Sequence, residues 1–208
     1  ANNELFLKEA FDKYQKDNPQ FKVLKSTLSF ANNKTLLVPE PPVATTGMFN
    51  DLPMIAQNNI VYTDLAVDSQ VSQKKVFEQT FLLKDNASNI RWKITDEVRE
   101  IAGYSCRRAN GLIMDSIYVV AFYSNEILVS GGPESFTGLP GMILQVTLPH
   151  ENVTWVAKRV LDMDVPASGI VPPQNGNTVD RKGLYSFLNN AAKDWGDRRE
   201  ATLKSFLF

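Results

Sequence analysis

The chain has 208 residues, 43% hydrophobic and 22% charged, with 22 basic against 23 acidic residues and a net charge of −1. Those figures support one sizeable core in a single domain spanning 1–208, and they exclude the global positive field that nucleic acid or an anionic membrane surface would attract. A lone cysteine, Cys106, excludes a disulfide within the chain, and no apolar run reaches the ~20 residues that a membrane-spanning helix needs.

Residues 4 to 17 place Leu7, Phe11 and Tyr14 on one helical face, and Asn18-Pro19 supplies the stop. Strands are predicted next. The segments Phe21 to Phe30, Ile60 to Val67, Val76 to Leu83, Ile90 to Thr95, Ile117 to Tyr123, Met142 to Leu148 and Val153 to Val160 are apolar, alternating or rich in β-branched and aromatic residues. The proline-rich stretch Pro39 to Pro53 and the stretch Pro166 to Thr178 read as surface loops. Alternation puts Ile90, Trp92 and Ile94 on a core face, and likewise Met142, Leu144, Val146 and Leu148. Ile117 to Tyr123 is apolar on both faces, as in a central strand covered on each side or one lining an apolar cavity. Asp180 caps a helix carrying Leu184, Phe187, Leu188, Ala191, Ala192 and Trp195, which Gly196 ends or kinks. A short helical tail with Leu203, Phe206 and Leu207 completes the C-terminal helical segment, 180–208. The expected fold is α+β: a large, curved, mainly antiparallel sheet of seven or more strands, with an N-terminal helix and C-terminal helices.

Chemistry is harder to find than architecture. Gly131 to Gly141 packs four glycines and two prolines into eleven residues, then runs into apolar Met142-Ile143-Leu144. No Gly-Lys-Ser/Thr follows, so the loop is a structural turn rather than a phosphate cradle. Phe136, its one large aromatic, either plugs the core beneath the turn or stands at the rim of a groove. Cys106 precedes Arg107-Arg108, whose charges would favour a thiolate, but cysteine is usually buried, and in a strand Arg107 points away from it. The one histidine, His150, falls in a hairpin loop, which suits neither a Cys–His catalytic pair nor a zinc site. Asp96, Glu97 and Glu100 read as a solvated face, and no G-x-S-x-G elbow occurs. Arg91-Trp92-Lys93 and Arg107-Arg108 are too few for a nucleic-acid surface. The residues thus assign no catalytic group, no metal ligand and no cofactor.

In the central segment the chain resembles the GLPGLI family, whose motif stands here as Gly138-Leu139-Pro140-Gly141-Met142-Ile143. Similar to the family pattern are also Trp92 and Ile94, Ile101-x-Gly103-Tyr104-x-Cys106 with Arg108-Ala109, Phe122-Tyr123 with Glu126-Ile127, and Gly132-Pro133-x-x-Phe136. The resemblance covers residues 90–144. Met142 stands for the usual leucine, Phe122 for a common tryptophan and Leu128 for a frequent proline. The resemblance implies an exported envelope protein of Bacteroidetes-type bacteria, periplasmic or associated with the outer membrane, with its signal peptide removed and no assigned activity. On that footing the expected function is a non-catalytic binding or accessory module for a partner protein or an apolar or peptidic ligand. Tyr123 and Phe136 are its candidate contacts, on a sheet face flanked by the glycine loop. Two alternatives stand beside it: a thiol-dependent enzyme or redox protein using Cys106, and a structural subunit of an outer-membrane-associated assembly docking through Leu203, Phe206, Leu207 and Phe208.

Overall fold

The computed structural model describes residues 2–17, 21–41, 58–87, 90–196, 203 and 206. Helix α1 spans Asn2–Asp17; the Asn18-Pro19 stop and most of the Pro39 to Pro53 loop lie outside the described residues. Eleven strands follow among the described residues, in two sheets. The first sheet holds β1 (Ser26–Ala31), β2 (Lys34–Pro39), β3 (Ile60–Asp64), β4 (Ser69–Val76), β5 (Gln79–Asn86) and β11 (Asn177–Val179), side by side in the order β1-β2-β3-β4-β5-β11. The second holds β6 (Lys93–Ile101), β7 (Tyr104–Ile113), β8 (Ile117–Ser124), β9 (Met142–Leu148) and β10 (Val153–Val156), in the order β10-β9-β8-β7-β6. All pairings are antiparallel except β11 on β5. Helix α2 (Arg181–Ala191) follows, and its cap is the Asp180 side chain, which accepts from the Gly183 N–H at 2.7 Å.

The mainly antiparallel sheet and both helices are present, but one large curved sheet is replaced by two. The reason lies in β8. Ile117, Val119, Ala121 and Tyr123 enter one apolar cluster while Val120 and Phe122 enter another on the opposite face, so each face of the second sheet needs its own cover. The 131–141 loop, with Phe136 and Leu139, covers the first face. Leu28 and Phe30 of β1, with Ile127, Val129, Ala157 and Val160, cover the other. The first sheet buries Val76, Phe81 and Leu83 against Leu184 and Leu188 of α2 and against Leu203 and Phe206.

Several boundaries depart from the periodicity, each for a physical reason. Phe21 and Val23 are exposed ahead of β1. Val76 to Leu83 is broken by a turn at Phe77-Glu78, with Phe77 at φ +54°, and so contributes to two strands. Ile94 lies on an edge strand whose register breaks between Ile94 and Val98, which leaves it outside the core. On β9 the register shifts as well: Gln145 pairs with Phe122 while Ile143 pairs with Tyr123, so Leu144 is the extra residue of a bulge. Met142 and Leu144 consequently share one cluster, and Ile143, Val146 and Leu148 share the other, rather than all four even positions lining one face.

Candidate functional site

The glycine loop is tied down at both ends. Ile143 N–H donates to the Gly131 carbonyl at 2.8 Å, Met142 N–H to Ile127 at 3.1 Å, and Phe136 N–H to Pro133 at 3.1 Å. Trp92, half-buried, donates its indole N–H to the Thr137 carbonyl at 2.8 Å and so fastens the loop to the segment just ahead of β6. Gly138 and Gly141 both hold positive φ, at +89° and +152°. A β-carbon at Gly141 would lie 2.1 Å from the Ser124 carbonyl oxygen and 3.1 Å from Asn125 Cα, so the loop presses backbone to backbone on the end of β8. Gly132 is similarly confined by Ile143 and the Phe136 carbonyl, Pro133 and Leu139 are buried, and Pro140 is exposed. Gly103 sits at φ +85° in the β6–β7 turn, followed by half-buried Tyr104.

Phe136 is 0% exposed, with its ring 5.8 Å from that of Trp155, and Tyr123 is 2% exposed in the same cluster. Phe136 is therefore the plug beneath the turn. The rim position for Phe136 is thereby corrected, since its side chain fills the core under the loop, while Tyr123, buried in the same cluster, also borders the opening beside it. What opens beside them is a groove of about 280 Å³, lined by Val98, Ser105, Arg107, Tyr123, Asn125 and Glu126. Its geometry follows from the strands. The β6 register break releases Val98, which is 59% exposed, at the sheet edge. Arg107 is held by the Asp96 carboxylate and the Thr95 carbonyl, both at 2.8 Å, and Glu126 accepts from the Ser105 N–H at 3.2 Å. Asn125, against Gly141, joins the groove to the glycine loop. The result is an apolar spot between a positive and a negative side chain, slightly below the size of an ordinary small-ligand pocket.

A second cluster lies where the loop meets the first sheet. Strand β4 turns Gln70, Ser72 and Lys74 inward, and Lys74 is 4% exposed. Opposite stands Glu134, 3% exposed and at φ +50°, whose Oε2 accepts from Asn59 Nδ2 at 3.1 Å and whose carboxylate also hydrogen-bonds the Trp155 side chain. Burial pushes the Glu134 carboxyl above its usual range, opposed by the Lys74 charge; burial pushes the Lys74 ammonium below its own, opposed by Glu134. A cavity of about 10 Å³, room for one water, adjoins Lys74, Glu134 and Arg181. Hydropathy could not flag this cluster, because β4 carries its polar residues on the buried face. The one local signal is a lone carboxylate inside a loop otherwise made of glycine, proline, apolar and hydroxyl residues.

Cys106 is 0% exposed in the cluster of the opposite sheet face, and burial pushes its thiol up to about 11. Its Sγ–H donates to the Tyr104 carbonyl at 3.5 Å. His150 is an exposed turn residue past the far end of β9. Through the pairs Arg107–Tyr123 and Tyr123–Ile143, Cys106 lies level with the start of β9, roughly 20 Å from His150 at 3.3 Å per residue, so the two do not form a catalytic pair. Glu97 bonds Arg108 and Arg99, which hold its carboxyl below the usual range, and Asp96 is paired to Arg107. Leu203 and Phe206 pack into this chain's own core, and Leu207 and Phe208 lie outside the described residues.

A family described as "Protein of unknown function (Porph_ging)" matches residues 111–145, a span that holds β8, the glycine loop and the start of β9 but falls well short of half the chain. No curated protein matches this sequence. The fold is similar to PNGF-II, solved in the P21 and C2 space groups, with a TM-score of 0.50 and 17% identity in each case. The likeness covers 87% and 77% of this chain but 31% and 28% of the PNGF-II chains, so the chain spans under a third of those structures. At that identity the likeness concerns fold alone.

Proposed function

We propose that this protein is an exported, non-catalytic binding or accessory module of the bacterial cell envelope, in the periplasm or associated with the outer membrane, and that it captures a peptidic segment of a partner protein. The observation that carries this reading is the groove at Val98, Ser105, Arg107, Tyr123, Asn125 and Glu126, which has an apolar floor, flanking charges of both signs and an open sheet edge. A volume near 280 Å³ suits one or two side chains of a peptide better than a large cofactor. The buried, high-pKa Cys106 supports a binding role over a thiol enzyme. Leu203 and Phe206, spent on the chain's own core, give the structural-subunit reading no support from those two side chains.

Selection of a random peptide library on immobilised protein tests the reading. Peptides should be enriched that pair an apolar residue with a charged one, and Val98→Asp should weaken the best of them at least tenfold, about 1.4 kcal/mol, without lowering the melting temperature. Enrichment of nothing, or equal capture by wild type and Val98→Asp, would remove the groove as the site.

A further inference from the structure

Strand β4, the residue just ahead of β3 and the glycine loop bring a buried amine, a half-buried carboxamide and a buried carboxyl group together where the loop meets the first sheet. Ile60 pairs with Gln73, and the next residue outward on each segment is Asn59, just ahead of β3, and Lys74 on β4. Side-chain alternation puts both on the face shared by Val61, Thr63 and Ser72, where Lys74 is buried and Asn59 half-buried. Continuing the same ladder by one step would set their β-carbons ~4.5–5.5 Å apart, well inside the reach of a lysine side chain toward the Asn59 carboxamide. The third group comes from the glycine loop: Glu134 Oε2 lies 3.1 Å from Asn59 Nδ2 and close enough to Lys74 for their charges to interact.

We propose that the protein forms an intramolecular isopeptide bond between Lys74 and Asn59, with Glu134 as the catalytic proton shuttle. The lysine Nζ lone pair attacks Asn59 Cγ, and the Nζ–Cγ bond forms. Glu134 gives its proton to Nδ2, the atom it already contacts, and the Cγ–Nδ2 bond breaks as the oxyanion on Oδ1 re-forms the carbonyl. The resulting Glu134 carboxylate takes the proton that Nζ must lose. The products are a secondary amide and ammonia, Glu134 regains its proton, and no oxidant, metal or cofactor enters the balance.

Three further features favour the reaction. Burial of Lys74 and Glu134 favours the neutral amine and the protonated acid, the forms the reaction uses, and the Arg181 charge works in the same direction on Lys74. Glu134 is fixed in its place, held at φ +50° by a constrained loop and hydrogen-bonded by the Trp155 side chain. The cavity of about 10 Å³ beside Lys74 and Glu134 has room for a leaving group the size of water.

The test is the mass of the intact, folded protein after reduction and denaturation, followed by peptide mapping. The wild type should be lighter than its sequence by one ammonia and should yield a branched peptide joining Lys74 to Asn59. Lys74→Arg and Glu134→Gln should each retain the ammonia and give only linear peptides. A wild-type mass equal to the sequence mass overturns the proposal, and that measurement depends on no variant folding. An ammonia loss that persists in Lys74→Arg also overturns it, because cyclisation at Asn59 alone would then account for the mass. A bond that still forms in Glu134→Gln overturns the shuttle role.

Discussion

Cys106 and Phe136 show how burial decides what a side chain can do. The thiol is raised from 9.0 to about 11 by burial, so below pH 9 it is neutral in both the folded and the unfolded chain. Between pH 9 and 11 the unfolded chain loses that proton first, and stability therefore falls as pH rises through this window. Cys106→Ala should flatten that limb of the stability profile, and a neutral alkylating reagent should leave the native thiol unmodified until denaturant is added. Rapid native labelling near neutral pH would contradict the burial and restore a thiol chemistry. Phe136, fully buried beside Trp155, should lose ~3–5 kcal/mol on truncation to alanine, measured by denaturant unfolding. At this scale the sequence was informative where backbone or size constrains a residue: a bulky aromatic in a glycine turn has few places to go except the core. It was silent on Glu134 and Lys74, because one sits in a loop and the other on β4, far apart in the chain, and their polarity reads as exposure.

The elements repeat that division. Glycine loop, apolar β8 and capped α2 are visible in the chain because each rests on local chemistry: positive φ, two-faced hydrophobicity, and an Asp180 side chain accepting from Gly183. Strand β4 was invisible. Its segment Ser69-Gln70-Val71-Ser72-Gln73-Lys74-Lys75 carries polar residues on its buried face, and only pairing with β3 and β5 makes it a strand. The bulge at Leu144 was hidden too, since a one-residue register shift leaves no mark in hydropathy. Within the loop, Gly138 and Gly141 separate two costs. Both positions carry positive φ, but a β-carbon at Gly138 meets only the Trp92 indole at 3.6 Å, whereas at Gly141 it meets the Ser124 carbonyl at 2.1 Å. Gly138→Ala should therefore cost ~1 kcal/mol through strain, and Gly141→Ala distinctly more, with the β8–β9 junction displaced. Equal melting of both variants and the wild type would show that the loop is not constrained as described.

At the scale of the molecule, the first sheet touches the second in two separate places, one apolar and one polar, on opposite faces of the second sheet. Leu28 and Phe30 dock on one face of the second sheet, while Glu134 reaches from that sheet's loop into the polar stripe of the first. The single-sheet expectation failed because strand count alone carries no information on which strands neighbour which; after β5 the chain starts a new meander instead of extending the old one, and only β11 returns. This arrangement fixes the 131–141 loop from both sides and leaves the adjoining groove at Val98 on the outside, at an open edge. The central claim is that function resides in that groove. It is tested most directly by hydrogen exchange of the full chain with and without a peptide selected on it. The account predicts slowed exchange at 98–107 and 123–126, abolished by Val98→Asp, with α2 unchanged; protection confined to α2 or the first sheet, with the groove exchanging as in the free protein, would contradict it.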